Sequence, residues 1–215
     1  MVQIRHLDLR AGAQARAVRT LAFGGFFGGK RNSSPTPGGA ESPSPTYATV
    51  LKRDGYELRL YKPYFAVCTP YNARDEGYLA ISSYMDGDNT GKMMLTPTQP
   101  MLMAYIPGEP KRMSLFLHSE RGSAEVLESP PAPAGGAPDT TIEVMGGKTV
   151  AVTSVTGNLT PDAAEQIRRK LLADLEADGI SPSEEAKRGG FYIGQFGALY
   201  SLQPTRREIT VTIDL

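Results

Sequence analysis

Tyr56-Glu57-Leu58-Arg59-Leu60-Tyr61 alternates apolar side chains with charged or polar ones, the period-two pattern of a strand buried on one face. Arg53-Asp54-Gly55, just before it, carries turn chemistry, and Ala48-Thr49-Val50-Leu51 precedes the turn, so the two segments read as a hairpin. Pro63 then bends the chain into the apolar run Phe65 to Thr69, in which Cys68 reads as a small buried hydrophobe rather than a nucleophile. From Asp75 to Met85 the period changes. Tyr78, Ile81 and Met85 fall three and four residues apart, on one face of a helix that Gly87 is placed to stop. Met93 to Leu95, Pro100 to Tyr105 and Met113 to His118 read as the strands that follow.

After a connector over 119–141, with Gly122 and prolines from Pro130 to Pro138, the same order of elements returns. Thr141-Ile142-Glu143-Val144 and Thr149-Val150-Ala151-Val152 read as two strands joined by a hairpin turn at Gly146-Gly147. Thr160 is placed as an N-cap, with Pro161 at the first helical position and Asp162 in the first turn. Ala164, Ile167, Leu171, Leu172 and Leu175 make one apolar stripe, and Gly179 ends the helix. Phe191 to Ile193 and Ile209 to Ile213 supply the last strands. Hairpin, helix, strand, strand, occurring twice, predicts an internal duplication in an α+β fold, with an antiparallel sheet and helices on one of its faces.

Composition narrows the function classes. Lys plus Arg and Asp plus Glu number 23 each, so no net field draws the chain to nucleic acid or to an anionic membrane. One cysteine and two histidines, His6 and His118, exclude an internal disulfide and a Cys/His zinc site. No stretch of 18 apolar residues exists to form an integral membrane helix. Residues 1–46 are set apart: Arg5, Arg10, Arg16, Arg19, Lys30 and Arg31 face only Asp8 and Glu41, and a Pro/Gly/Ser-rich stretch follows. That composition is expected of an organelle transit peptide and disordered linker, with the folded domain at 47–215. The expected location is the plastid (chloroplast).

Five segments resemble the SOUL heme-binding protein family. Tyr47 with Tyr56-Glu57-Leu58-Arg59-Leu60-Tyr61 is similar to its opening Y-E-[VI]-R-x-Y, and Tyr84-Met85-Asp86-Gly87-Asp88-Asn89 to its Y-[IV]-x-G-x-N helix end. Lys92 to Met101 resembles K-I-x-M-T-x-P-V, Pro130-Pro131-Ala132-Pro133 the P-P-x-P connector, and Arg206-Arg207-Glu208-Ile209 the closing R-R-N-E-V. The resemblance implies a distorted antiparallel β-barrel of two pseudo-repeated halves with two long helices. It also implies heme, or a related porphyrin, bound without covalent attachment in a groove between the first helix and the loop before the last strand. Carried over, the helix contributes Tyr78, Ile81, Ser82 and Met85, and the loop Phe196, Gly197, Leu199, Tyr200 and Leu202. Where some members have a histidine proposed as iron ligand, this chain has Leu60, and Asp75 and Ser83 stand near the basic helix positions of other members. His118 is then the candidate axial ligand, because His6 lies in the transit segment and the methionines Met93, Met94, Met101 and Met103 read first as core.

No phosphate loop, nucleophile elbow or metal triad is present, and the loop starting at Asp86 has Pro97 where an EF-hand needs its Glu, so an enzyme is not expected. The expected function is binding, buffering or trafficking of a tetrapyrrole ligand, with a protein partner in tetrapyrrole or plastid pathways. The alternative is an effector-sensing or protein-interaction module of the same fold without heme.

Overall fold

The alternation in the decisive stretch is realised as β2 (Glu57–Tyr61), which turns back at Gly55 (φ +94°) on β1 (Tyr47–Lys52), pairing Tyr47 with Tyr61 and Lys52 with Glu57. The computed structural model describes residues 42–118, 129–135, 139–157, 159–197 and 206–214. By its contacts the chain divides between Ser33 and Ser34, and every described residue lies in the second unit. Beyond β2 the order is β3 (Tyr64–Pro70), α1 (Arg74–Met85), β4 (Met101–Tyr105), β5 (Arg112–Phe116), β6 (Thr141–Met145) and β7 (Thr149–Thr156). Then come α2 (Pro161–Ala177), α3 (Glu184–Lys187), β8 (Phe191–Gln195) and β9 (Arg206–Thr212).

The fold is α+β. All nine strands join one antiparallel sheet in the order β1-β2-β7-β9-β8-β4-β5-β3-β6, and the helices run 12, 17 and 4 residues. The sheet curls into a half-barrel: β2 and β3 stand far apart in strand order, yet Tyr61 and Tyr64 meet edge to face with ring centres 6.5 Å apart. Alternation sends large side chains to the helix side. There Leu58, Ala151, Val211 and Ile213 pack with Leu171 and Leu175 of α2, while Met113 touches α1 at Gly77. Each such leucine stabilises the fold by roughly 1.5–3 kcal/mol through burial.

Three local readings are corrected. The strands flanking Gly146-Gly147 do not form a hairpin: β6 pairs with β3, and β7 with β2 and β9. The two glycines instead carry a crossing connection, in which Gly147 N–H donates to Tyr61 O (2.9 Å). Met93–Leu95 is not a strand, because its donors are taken locally: Met93 N–H bonds the buried Asn89 side chain (3.0 Å) and Leu95 N–H bonds Met85 O (2.8 Å). Residues 42–46, assigned to the linker by composition, are tied to the fold. Ser42 O and Pro43 O accept from the Gln99 side chain and backbone (3.1 and 2.8 Å), and Pro45 is buried.

Three of the resembling segments meet at the end of α1. Asn89 Nδ2 donates to Tyr84 O (3.0 Å) and Met93 O (2.7 Å), Tyr84 Oη donates to Pro131 O (2.8 Å), and Thr90 N–H donates to Ala132 O (2.8 Å). The Asn and the proline run are therefore one knot that closes the helix, which accounts for both residue types without a ligand.

Candidate functional site

The groove expected along α1 is narrower than its sequence stripe. Ile81 and Met85 are 1% and 2% exposed and belong to the core, so their apolar surface is turned to the sheet. Tyr78 and Ser82 are half-buried, and Tyr78 Oη donates to Gln195 Oε1 (3.3 Å), which sets the helix beside the end of β8. Phe196 follows directly. Leu199, Tyr200 and Leu202 lie outside the described residues.

Sheet register brings other residues to the same end of the sheet. Met101 of β4 pairs with Gln195 of β8 on one side and with Leu115 of β5 on the other, so Phe196, Pro100 and Phe116 stand level at one end of the sheet, with His118 just beyond. His118 is half-buried, its ring 6.0 Å from that of Phe116, and Phe116 meets Tyr64 edge to face at 5.5 Å. Arg206 lays its guanidinium over the Phe196 ring, 3.9 Å from its centre, and donates to Glu208 Oε1 (3.1 Å). This rim thus combines aromatic walls, one imidazole and one cation. The cation is what the α1 positions Asp75 and Ser83 lack. Its signal in the sequence was the Arg206-Arg207 pair, but only the fold aims Arg206 at Phe196.

Below the rim, the concave face of the half-barrel encloses a cavity of about 350 Å³. Tyr61, Tyr64, Phe116 and Tyr192 wall it. Two ion pairs are set in it. Arg59 donates to both carboxylate oxygens of Glu208 (2.8 and 3.1 Å) and also to Glu57, while Arg112 pairs with Glu143. Burial works against the Arg59 charge, but the Glu208 carboxylate outweighs it and holds the guanidinium protonated beyond its ordinary range. Burial pushes the Cys68 thiol up to about 12, with the Glu143 charge adding to it, so the chain's single cysteine is an inert lining group. Burial likewise raises the Tyr64 and Tyr192 phenols, which stay neutral donors. Among the described residues no cluster of three His, Cys, Asp or Glu side chains is arranged to hold a metal, and no helix is long and apolar enough to cross a membrane.

The family model described as SOUL heme-binding protein matches residues 42–212. No curated protein sequence is significantly similar. Among solved structures, the EcmrR C-terminal domain superposes with a TM-score of 0.53 at 11% identity, covering 74% of this chain and 96% of that one. A Listeria innocua structure described as a hydrolase gives 0.52 at 10% identity, covering 77% of this chain and 94% of that one. A second hydrolase from Listeria innocua gives 0.51 at 10% identity, covering 74% and 92%. At such identities the likeness is one of fold alone.

Proposed function

The chain belongs to the SOUL heme-binding protein family, and from that footing we propose that it holds heme or a related tetrapyrrole non-covalently, as a carrier or buffer rather than an enzyme, in the plastid. The observation that carries the reading is the rim: Arg206 lies over the Phe196 ring where β8 and β9 meet, and Phe116 and His118 stand at the same end of the sheet, two strands away. A tetrapyrrole needs apolar and aromatic walls, a cation for its propionates and, when it carries iron, an axial donor. Phe196, Tyr78 and Ser82 would wall it, and the resemblance adds Leu199, Tyr200 and Leu202, which lie outside the described residues. Arg206 would take a propionate and His118 Nδ1 or Nε2 would face the iron. The bound group would supply the redox and ligand chemistry of its iron, while the chain would supply binding, orientation and shielding.

We also read the chain as two pseudo-repeated halves. Supporting this, the sheet order β2-β7-β9-β8 is mirrored by β6-β3-β5-β4, each half lending one strand to the other.

Titration of the full chain with hemin tests the reading. A saturable Soret shift is expected, moved in His118→Ala and weakened roughly ten- to hundredfold in Tyr78→Ala, which removes about 1–3 kcal/mol of apolar contact. A parent chain with no saturable shift would favour the effector-sensing or protein-interaction module of the same fold. An unmoved Soret band in folded His118→Ala would remove His118 from the site.

A further inference from the structure

The cavity under the rim has a composition that core packing does not require. Small barrels fill their interior with side chains. Here several inward positions of five neighbouring strands are small, Ala66 and Cys68 on β3, Ser114 on β5, Ala104 on β4, Gly194 on β8 and Thr210 on β9, beside the larger Leu102, Arg112 and Glu208. The outward neighbours on those same strands, Val67, Met113, Met103, Ile193 and Ile209, are large and buried. A paved floor of small residues between upright walls of Tyr64, Phe116 and Tyr192 leaves a space with flat apolar surfaces.

The charges say what it can take. Of the three carboxylates that line it, Glu208 is held by Arg59 and Arg206 and Glu143 by Arg112, while Glu109 and the lining cation Lys148 are exposed. Among the described residues no buried side-chain nitrogen or oxygen lacks a hydrogen-bond partner. A charged guest that reaches the interior must break into the Arg59–Glu208 pair, whose partner would then be left charged and buried. An uncharged guest breaks nothing and gains from the apolar area it covers.

We propose that the concave cavity is a second ligand site, which takes a flat, uncharged, polycyclic molecule and lies below the tetrapyrrole rim, with which it shares Pro100 and Phe116. The site would stand whether or not the rim binds heme. Its test uses Nile red, a neutral polycyclic dye, on the full chain. The dye should bind saturably with blue-shifted emission. Ala104→Phe, which puts a ring on the half-buried floor of β4, should weaken dye binding at least tenfold and leave the hemin Soret titration unchanged. His118→Ala should do the reverse. Unchanged dye binding in a folded Ala104→Phe, or dye binding lost in His118→Ala, would overturn the proposal. If Ala104→Phe does not fold, methyl resonances of the unmodified chain decide. On dye addition Ala66 and Ala104, which face the cavity, should shift while Ile81 and Met85, between sheet and helix, stay put; the opposite pattern or no shift at all refutes the site.

Discussion

Gly146 lies where the β6–β7 connection passes the β2–β3 connection, and no other residue fits there. Its φ is +81°, and a Cβ would stand 2.4 Å from Lys62 O, well inside contact distance. Gly147 also has a positive φ, +70°, but its Cβ would meet only Pro63 Cγ at 3.7 Å, an ordinary contact. Gly147→Ala should therefore cost only the left-handed strain, about 1 kcal/mol. Gly146→Ala must also push two connections apart and should cost roughly 3 kcal/mol. Urea unfolding of both variants at unchanged slope measures the difference; equal losses would show that the crossing is loose. The sequence marked this pair as a turn because Gly-Gly is turn chemistry. It could not show that the strands on either side pair elsewhere, since the contact that demands glycine comes from Lys62, far away in the chain.

Elements were legible where local physics fixes them. Thr160 caps α2 through its side chain, which accepts from Ala163 N–H (3.2 Å), and Gly179 closes the helix at φ +71°, as the pattern predicted. Ala164, Leu171 and Leu175 are buried as the stripe required. Arg168, buried among them, was not foreseen, because its burial depends on a partner. Its guanidinium takes both oxygens of Glu165 (2.8 Å each) and the Ala186 carbonyl (3.3 Å), which joins α2 to α3. The hydrogen bonds from Arg168, with help from Arg169, hold the Glu165 carboxyl down at about 2. A depressed carboxyl contributes stability above its unfolded pKa, near 4.5, and loses it as pH falls from there towards 2. Glu165 is 36% exposed, so solvent screening leaves roughly 1 kcal/mol of the nominal effect. Glu165→Gln should thus be less stable than the parent by about that much at pH 6 and equal to it near pH 2. A gap that persists unchanged in thermal melts at pH 2 would assign the loss to packing instead of charge.

At the scale of the whole molecule, the α+β class and the one-sided helices could be read from period and element order, but the cavity could not. Its floor is assembled from single small residues on strands scattered from Ala66 to Thr210, and only the sheet order makes them neighbours. The same limit misplaced the start of the fold. Composition assigns 42–46 to the Pro/Ser-rich linker, yet these residues are bonded to the half-barrel. Pro45 lines the cavity, Gln99 bonds Ser42 O and Pro43 O, Thr46 O accepts from Lys62 N–H (3.0 Å), and the Tyr47 ring lies 4.5 Å from the Arg59 guanidinium. None of this is periodic, so no sequence pattern announces it. A chain beginning at Ser42 should melt cooperatively at the temperature of the 215-residue chain. One beginning at Ala48 loses three hydrogen bonds, a buried proline and a cation–π contact. At about 0.5–1.5 kcal/mol per hydrogen bond, it should be less stable by roughly 2–4 kcal/mol. Calorimetry of the two fragments distinguishes the boundaries. Equal melting temperatures would return 42–46 to the linker, and a non-cooperative Ser42 fragment would mean that residues before it belong to the folding unit.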